Sequence, residues 1–162
     1  MRTILLTQGK EALVDDCDYD YLMQWTWFYH SKGRSTGYAL RAEYSNGRQR
    51  MVRLHRVVAE RFGLETVGKQ IDHLDGNGLN NCRGNLRTAT NRQNAGNQKR
   101  QHNNTSGFKG VVWAKREKKW RARLGDAGRQ HLGYFDTPRD AARAYNEAAL
   151  KYYGEFACLN PV

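Results

Sequence analysis

The sequence predicts an α+β protein made of antiparallel β hairpins and short helices. Three observations point there. Apolar and polar residues alternate with a period of two in several short stretches, as half-buried strands require. Gly- and Asn-containing connectors separate those stretches. Two segments open with strong helix-start chemistry and then change to helical spacing. The 162 residues allow one ordinary domain or two small ones, with four Trp, nine Tyr and five Phe to anchor the cores. Two small cores are easier to assemble here than one large one.

In the first region Trp25, Trp27 and Tyr29 alternate, and so do Tyr38, Leu40, Ala42 and Tyr44, with SKGRSTG between them. That reads as a β hairpin. Asn46-Gly47 supplies residues that tolerate the positive φ angles of a tight turn, and a strand over Gln49 to Arg53 follows. Arg41, Arg48, Arg50 and Arg53 line the polar side of this sheet, either as phosphate contacts or as a solvated face. In LHRVVAERFG the residues Leu54, Val57, Val58 and Phe62 take helical spacing, and Gly63 ends the helix. His55, inside it, reads as a packing or hydrogen-bonding residue in preference to a ligand.

The second region, Gln70 to Gln98, is rich in asparagine. It parses as a strand around Ile71, a long turn, a strand through LRTAT, and a helix opened by the capping box Thr90-x-x-Gln93. Such a hairpin and helix would bring Asn94 near Asp72. The segment KRQHNNTSG has a linker composition. This divides the chain into residues 1–98, a linker at 99–107, and a module at 108–162. In the module FKGVVWA, KWRARL and HLGYF are three strands joined by the turns KREK and GDAGR. Thr137 as N-cap, Pro138 at the first helical position and Asp140 as the third-position acid then start a helix. Its apolar stripe is Ala141, Ala142, Tyr145, Ala148, Ala149 and Tyr152, and Gly154 stops it. Phe135 and Tyr145 belong to the core, and Trp113 is placed in the core ahead of a base contact.

The net charge is +11, and between Gly76 and Gly125 twelve Lys or Arg face one acid, Glu117. A run like that self-repels unless a polyanion neutralises it, so nucleic acid is the first partner to consider. Cys17, Cys82 and Cys158 are widely spaced and odd in number, which argues against a disulfide framework or a Cys-type zinc site. No apolar stretch is long enough for a bilayer, and the opening MRTILLTQGKEALVDD turns acidic too soon for a secretory signal. The expected location is intracellular, in the cytoplasm.

Asp72-His73 with a remote Asn supplies the elements of phosphodiester hydrolysis. Carboxylate and amide oxygens are hard ligands for Mg²⁺ or Mn²⁺, and a neutral imidazole can take a proton from water. An Asn-rich loop with a purely structural role fits these residues as well. Asp75, Asn77 and Gly78 begin like a calcium loop, but Leu79 and Leu86 stand where oxygen ligands are needed, which excludes an EF-hand.

IDHLDGNGLNNCRGNLRTATNRQNAGNQ resembles the HNH endonuclease family, in the phage and homing branch whose last motif residue is Asn, and LHRVVAERF resembles the stretch just upstream in such proteins. The resemblance implies a ββα-metal motif. It makes His73 the general base, Asp72 and Asn94 ligands of one divalent cation, and Asn85 the residue that braces the loop and helps orient the histidine. GFKGVVWAKREKKWRARL and HLGYFDTPRDAARAYNEAALKYYGEFACLN resemble the AP2 DNA-binding domain, found in plant transcription factors and beside HNH nuclease domains. That implies a sheet that enters the major groove and a helix that backs it. Arg121 and Arg123 alternate with Trp120, Ala122 and Leu124, so their guanidiniums point away from the helix. Lys109, Lys115, Arg116 and Arg129 are the phosphate contacts expected, and His131 stands where plant members carry a DNA-contacting Trp. Val112 stands where many carry an Arg, so the plant target sequence does not transfer.

Together these readings describe a metal-dependent endonuclease acting on double-stranded DNA. It needs no small-molecule cofactor or membrane, and works as a monomer or weak dimer. The alternatives are a DNA-binding regulator with a relic HNH segment, or an RNA-binding basic protein.

Overall fold

The computed structural model describes residues 1–31, 37–101, 103–125 and 130–162. The chain forms two compact units, Met1–Ala89 and Thr90–Val162. The observed class is α+β, with antiparallel sheets and four α-helices among the described residues.

The first unit opens with an antiparallel pair, β1 (Arg2–Leu5) and β2 (Glu11–Val14), followed by α1 (Asp16–Leu22). The sheet β3 (Phe28–His30), β4 (Tyr38–Ser45) and β5 (Arg48–Arg53) comes next, in that spatial order. Asn46 and Gly47 both have positive φ, 50° and 72°, as a two-residue hairpin turn demands. The connector at 32–36 lies outside the described residues. Trp25 and Trp27 precede the strand they were expected to join; Trp27 is buried and its Nε1 donates to the Leu22 carbonyl at 2.8 Å. The register places Arg41, Arg48 and Arg50 on one face of this sheet and Arg53 on the other, so the four do not line one side. Arg41 is not a solvated residue either. Its guanidinium is bonded to Glu43 at 3.0 Å and lies 4.5 Å from the Trp25 ring.

The helix α2 (Leu54–Arg61) follows β5, and Gly63 takes φ 83° just beyond it. The pair β6 (Gln70–His73) and β7 (Leu86–Ala89) closes the unit. Ile4, Val14, Leu22, Trp27, Leu54, Val58, Ile71 and Leu86 form one core. Asp18 is wholly buried within this unit. Arg83 donates to both its oxygens at 2.7 Å, and Arg61 donates at 3.0 Å.

In the second unit Thr90 caps α3 (Asn91–Asn97) through the full capping box with Gln93. The strands β8 (Val111–Ala114), β9 (Lys119–Leu124) and β10 (Gln130–Phe135) form a sheet with β9 central. The helix α4 (Pro138–Tyr153) starts with Thr137 accepting from the Asp140 amide, and its Ala141, Ala142, Tyr145 and Ala149 are buried. Its stripe ends on Tyr153, not Tyr152: Tyr153 is buried and packs over Gly96, while Tyr152 is exposed. Trp113 is also outside the core. It is 45% exposed, paired with Trp120 across the sheet, with ring centroids 5.1 Å apart. Phe135 is partly buried against the core. Asn104 and Ser106, in the polar segment expected to be a linker, hydrogen-bond the Phe108 and Val111 carbonyls. Asn160 ties the chain end back by accepting from the Lys109 amide and donating to its carbonyl.

Hydrogen bonds from Arg83 hold the Asp18 carboxyl below the usual carboxylate range, against the opposing effect of burial and with help from Arg61. The carboxylate therefore contributes stability that is complete above the unfolded-state pKa of about 3.9 and is lost as pH falls through the lower folded value. Asp18→Asn should lower the unfolding free energy by about 3 kcal/mol. Urea titrations should also show that the variant loses less of its remaining stability than the parent between pH 4 and pH 2.

Candidate active site

Cross-strand register defines the site. Asp72 lies opposite Arg87 and His73 opposite Leu86. Neighbouring residues on a strand point to opposite faces, so the two candidate groups leave β6 in different directions. Both are buried, at 5% exposure each. An Asp72 oxygen accepts from Arg87 Nε at 3.0 Å.

The chain between β6 and β7 is held by its own amides. Asp75 Oδ1 accepts from the Asn77 amide and from Asn85 Nδ2, and its other oxygen accepts from Asn80 Nδ2. Burial by itself would raise the Asp75 carboxyl, but these bonds outweigh it and hold the group below its ordinary range. Asn85 also donates to the Asn80 carbonyl at 2.8 Å and accepts from the Asp75 amide at 3.1 Å. Gly78 lets this loop approach β4. A Cβ there would stand 2.5 Å from the Gly37 carbonyl oxygen and 2.7 Å from the Tyr38 ring.

His73 Nε2 faces Asn81 Oδ1 at 3.4 Å, and Asn81 Nδ2 donates to the Leu79 carbonyl. Asn81 therefore presents its acceptor to the ring, and an imidazole protonated at Nε2 would donate to it. Burial lowers the His73 pKa, and the Asn81 bond and the Asp75 and Asp72 charges offset it only in part. The ring is neutral near pH 7. Two further rings stand beside it, His55 at 5.0 Å and Tyr38 at 5.9 Å between centroids.

Asn94 lies on α3, half-buried, with its amide bonded to the Thr90 carbonyl. No group of three His, Cys, Asp or Glu among the described residues forms a metal cluster. Asp72, in the first unit, offers a carboxylate, and Asn94, in the second, an amide oxygen. Each is a hard oxygen donor of the kind suited to a divalent cation that keeps waters or phosphate in its other positions.

The expected DNA contacts divide by environment. The outer face of the second unit's sheet carries the row Val112–Arg121–Tyr134 and, beside it, Arg123 opposite His131. Arg121 Nε is buried without a hydrogen-bond partner. Lys115 and Arg116 are exposed in the turn after β8. Lys109 is half-buried, and its ammonium donates to the Gly96 carbonyl at 2.6 Å. Arg129 lies outside the described residues.

Sequence reasoning singled out Asn85 and passed over Asn81 and Tyr38. Nothing in the local pattern separates Asn81 from its neighbour Asn80. Its burial, at 1% exposure, comes from backbone bonds between Leu13 and residues 79 and 81.

A family model described as HNH endonuclease matches residues 52–96, the stretch that holds this site. A protein of Acanthamoeba polyphaga mimivirus, named as an uncharacterized HNH endonuclease, is 31% identical over 98% of this chain and 80% of its own length. The chain belongs to the HNH endonuclease family. Protein 3.8 of Escherichia phage T7 is 45% identical over 64 residues, 40% of this HNH chain and 53% of the phage protein. The APETALA2-like protein 2 of Oryza sativa is 42% identical over 57 residues, 35% of this chain and 13% of the plant protein. The HNH chain thus matches about half the length of the phage relative and a small part of the plant one. No solved structure is a significant match.

Gly78 has an ordinary backbone angle, so its role is steric. Gly78→Ala should destabilise the protein by about 1–3 kcal/mol through overpacking against Gly37 and Tyr38. A denaturation midpoint equal to the parent's would mean that the loop does not rest there.

Proposed function

We propose that this protein is a metal-dependent DNA endonuclease of the phage or homing type. The observation that carries this reading is the buried His73, kept neutral near pH 7 by burial, beside Asp72 in the segment matched by the family. His73 Nδ1 takes a proton from water, and the resulting hydroxide attacks phosphorus as the bond to the 3′ oxygen breaks. Asp72 and Asn94 are the protein ligands of one divalent cation, Mg²⁺ or Mn²⁺, by the HNH resemblance. When bound, that cation supplies charge stabilisation for the phosphorane-like transition state. Asn81 keeps the ring in the tautomer that leaves Nδ1 basic. Asn85 keeps the loop closed, and Arg87 orients the Asp72 carboxylate.

The second unit's sheet is the duplex-binding surface, in the manner of an AP2 domain. The similarity to a plant APETALA2-like protein supports this, as does the clustering of Arg121, Arg123 and His131 on one sheet face. Guanidinium groups there can fork onto guanine or phosphate. Lys115 and Arg116 contact phosphates. Lys109, engaged by Gly96, belongs to the scaffold of this surface.

Incubation of supercoiled plasmid with Mg²⁺, and separately with chelator, tests the activity. Open-circular or linear product is expected only with metal. Unchanged plasmid under both conditions would leave a DNA-binding regulator. His73→Ala should lower the cleavage rate about 10²–10⁴-fold with DNA affinity retained, and cleavage at the parental rate would remove His73 as the base. Replacing Arg121 and Arg123 together by Ala should relax sequence preference, at a cost of about 1–3 kcal/mol of base discrimination for each contact. Competition binding with unrelated duplexes measures this, and an unaltered preference would move recognition to another surface.

A further inference from the structure

His55 is the second residue of α2, only 6% exposed, and its Nδ1 is buried with no hydrogen-bond partner. A polar nitrogen left unpaired in a core costs stability, and an apolar side chain of similar size would remove that cost. The surroundings of His55 are specific: the ring stands at 90° to His73, with centroids 5.0 Å apart, and at 65° to Tyr38, 5.4 Å away. Tyr38 in turn lies 5.9 Å from His73. Each of the three rings thus touches the other two. Gly78 bears on the same cluster, because its missing side chain lets the loop after His73 rest on Tyr38. Burial, followed by the neighbouring His73, Arg53 and Arg56, keeps His55 neutral, so it places no charge beside the base.

We propose that His55 is a positioning residue for the cleavage reaction: its ring, packed at right angles to His73 and backed by Tyr38, fixes the plane of that imidazole so that Nδ1 is held toward the attacking water. The proposal rests on the reading of His73 as the base. Asn81 meets His73 at Nε2 through a long contact of 3.4 Å, and the His55 ring adds a perpendicular contact to the same imidazole. A small misalignment of a base costs rate steeply without touching affinity, because the reacting atoms must be aligned before the proton moves.

Two full-length variants test this. His55→Leu keeps an apolar side chain in the core but removes the ring; His55→Phe restores a ring. His55→Leu should melt no lower than the parent and bind DNA as tightly, with kcat reduced about tenfold or more and KM unchanged. His55→Phe should recover most of that loss. In the resting protein the His73 ring-proton resonances should shift in the Leu variant and return toward their parental positions in the Phe variant. Parental kcat in His55→Leu would overturn the proposal, as would equal loss in both variants. His73→Ala separates the two readings. If it cleaves like the parent, the base assignment has failed; if it is inactive while His55→Leu is fully active, only the positioning role has failed.

Discussion

The site depends on one side chain that closes a loop with almost no apolar residues of its own. Asn85 accepts from the Asp75 amide, donates to the Asp75 carboxylate and donates again to the Asn80 carbonyl. A strand pair as short as β6–β7 cannot define so long an excursion by itself, because the ladder ends at His73 and Leu86. Leu74 and Leu79 are the loop's only large apolar residues before Cys82, and Leu74 is exposed. Polar bonds have to do what packing does elsewhere. With the loop closed, Asn81 lies buried against His73, Gly78 meets Tyr38, and His73 has defined neighbours.

A second constraint is the handling of buried charge. Asp18 is wholly enclosed and held by two arginines from distant parts of the first unit. Arg83 stands at the end of the loop between β6 and β7 and also donates its backbone amide to Asp15 at 2.7 Å. The same ion cluster therefore anchors α1, α2 and the C-terminal end of the loop. Asp72 is matched by Arg87 from its cross-strand position. His73 and His55 are handled differently, since both are buried and kept neutral. Desolvation disfavours the imidazolium, so both rings are uncharged near neutral pH.

In the second unit the two faces of the sheet differ in chemistry. Val111 and Ala122 are enclosed on the helix side with Ala141 and Ala142, and small residues at those contacts let α4 lie close. The other face carries Arg121, Arg123, His131 and Tyr134 in adjacent cross-strand positions. Trp113 and Trp120 pair at the sheet's end, where Trp113 keeps nearly half its surface in contact with solvent.

Local chemistry was legible in the sequence. The Asn46-Gly47 turn, the Thr90 capping box, the Thr137-Pro138 helix start and the alternation of β9 each depend on residues within four positions of one another, and each formed as read. The HNH pattern is also a matter of spacing, and it pointed to the right segment. Tertiary structure alone decided the rest, because those features depend on contacts between distant parts of the chain. The β1–β2 pair and α1 went unread. Their role in burying Asn81 comes from Leu13 bonding to residues 79 and 81, which no local pattern encodes. Helical spacing could not tell whether Tyr152 or Tyr153 is buried; contact with Gly96 does. Trp113 was expected in the core ahead of a base contact, but it pairs with Trp120 and keeps 45% of its surface exposed. His55 read as an ordinary helical histidine until its ring was found against His73, eighteen positions later in the chain.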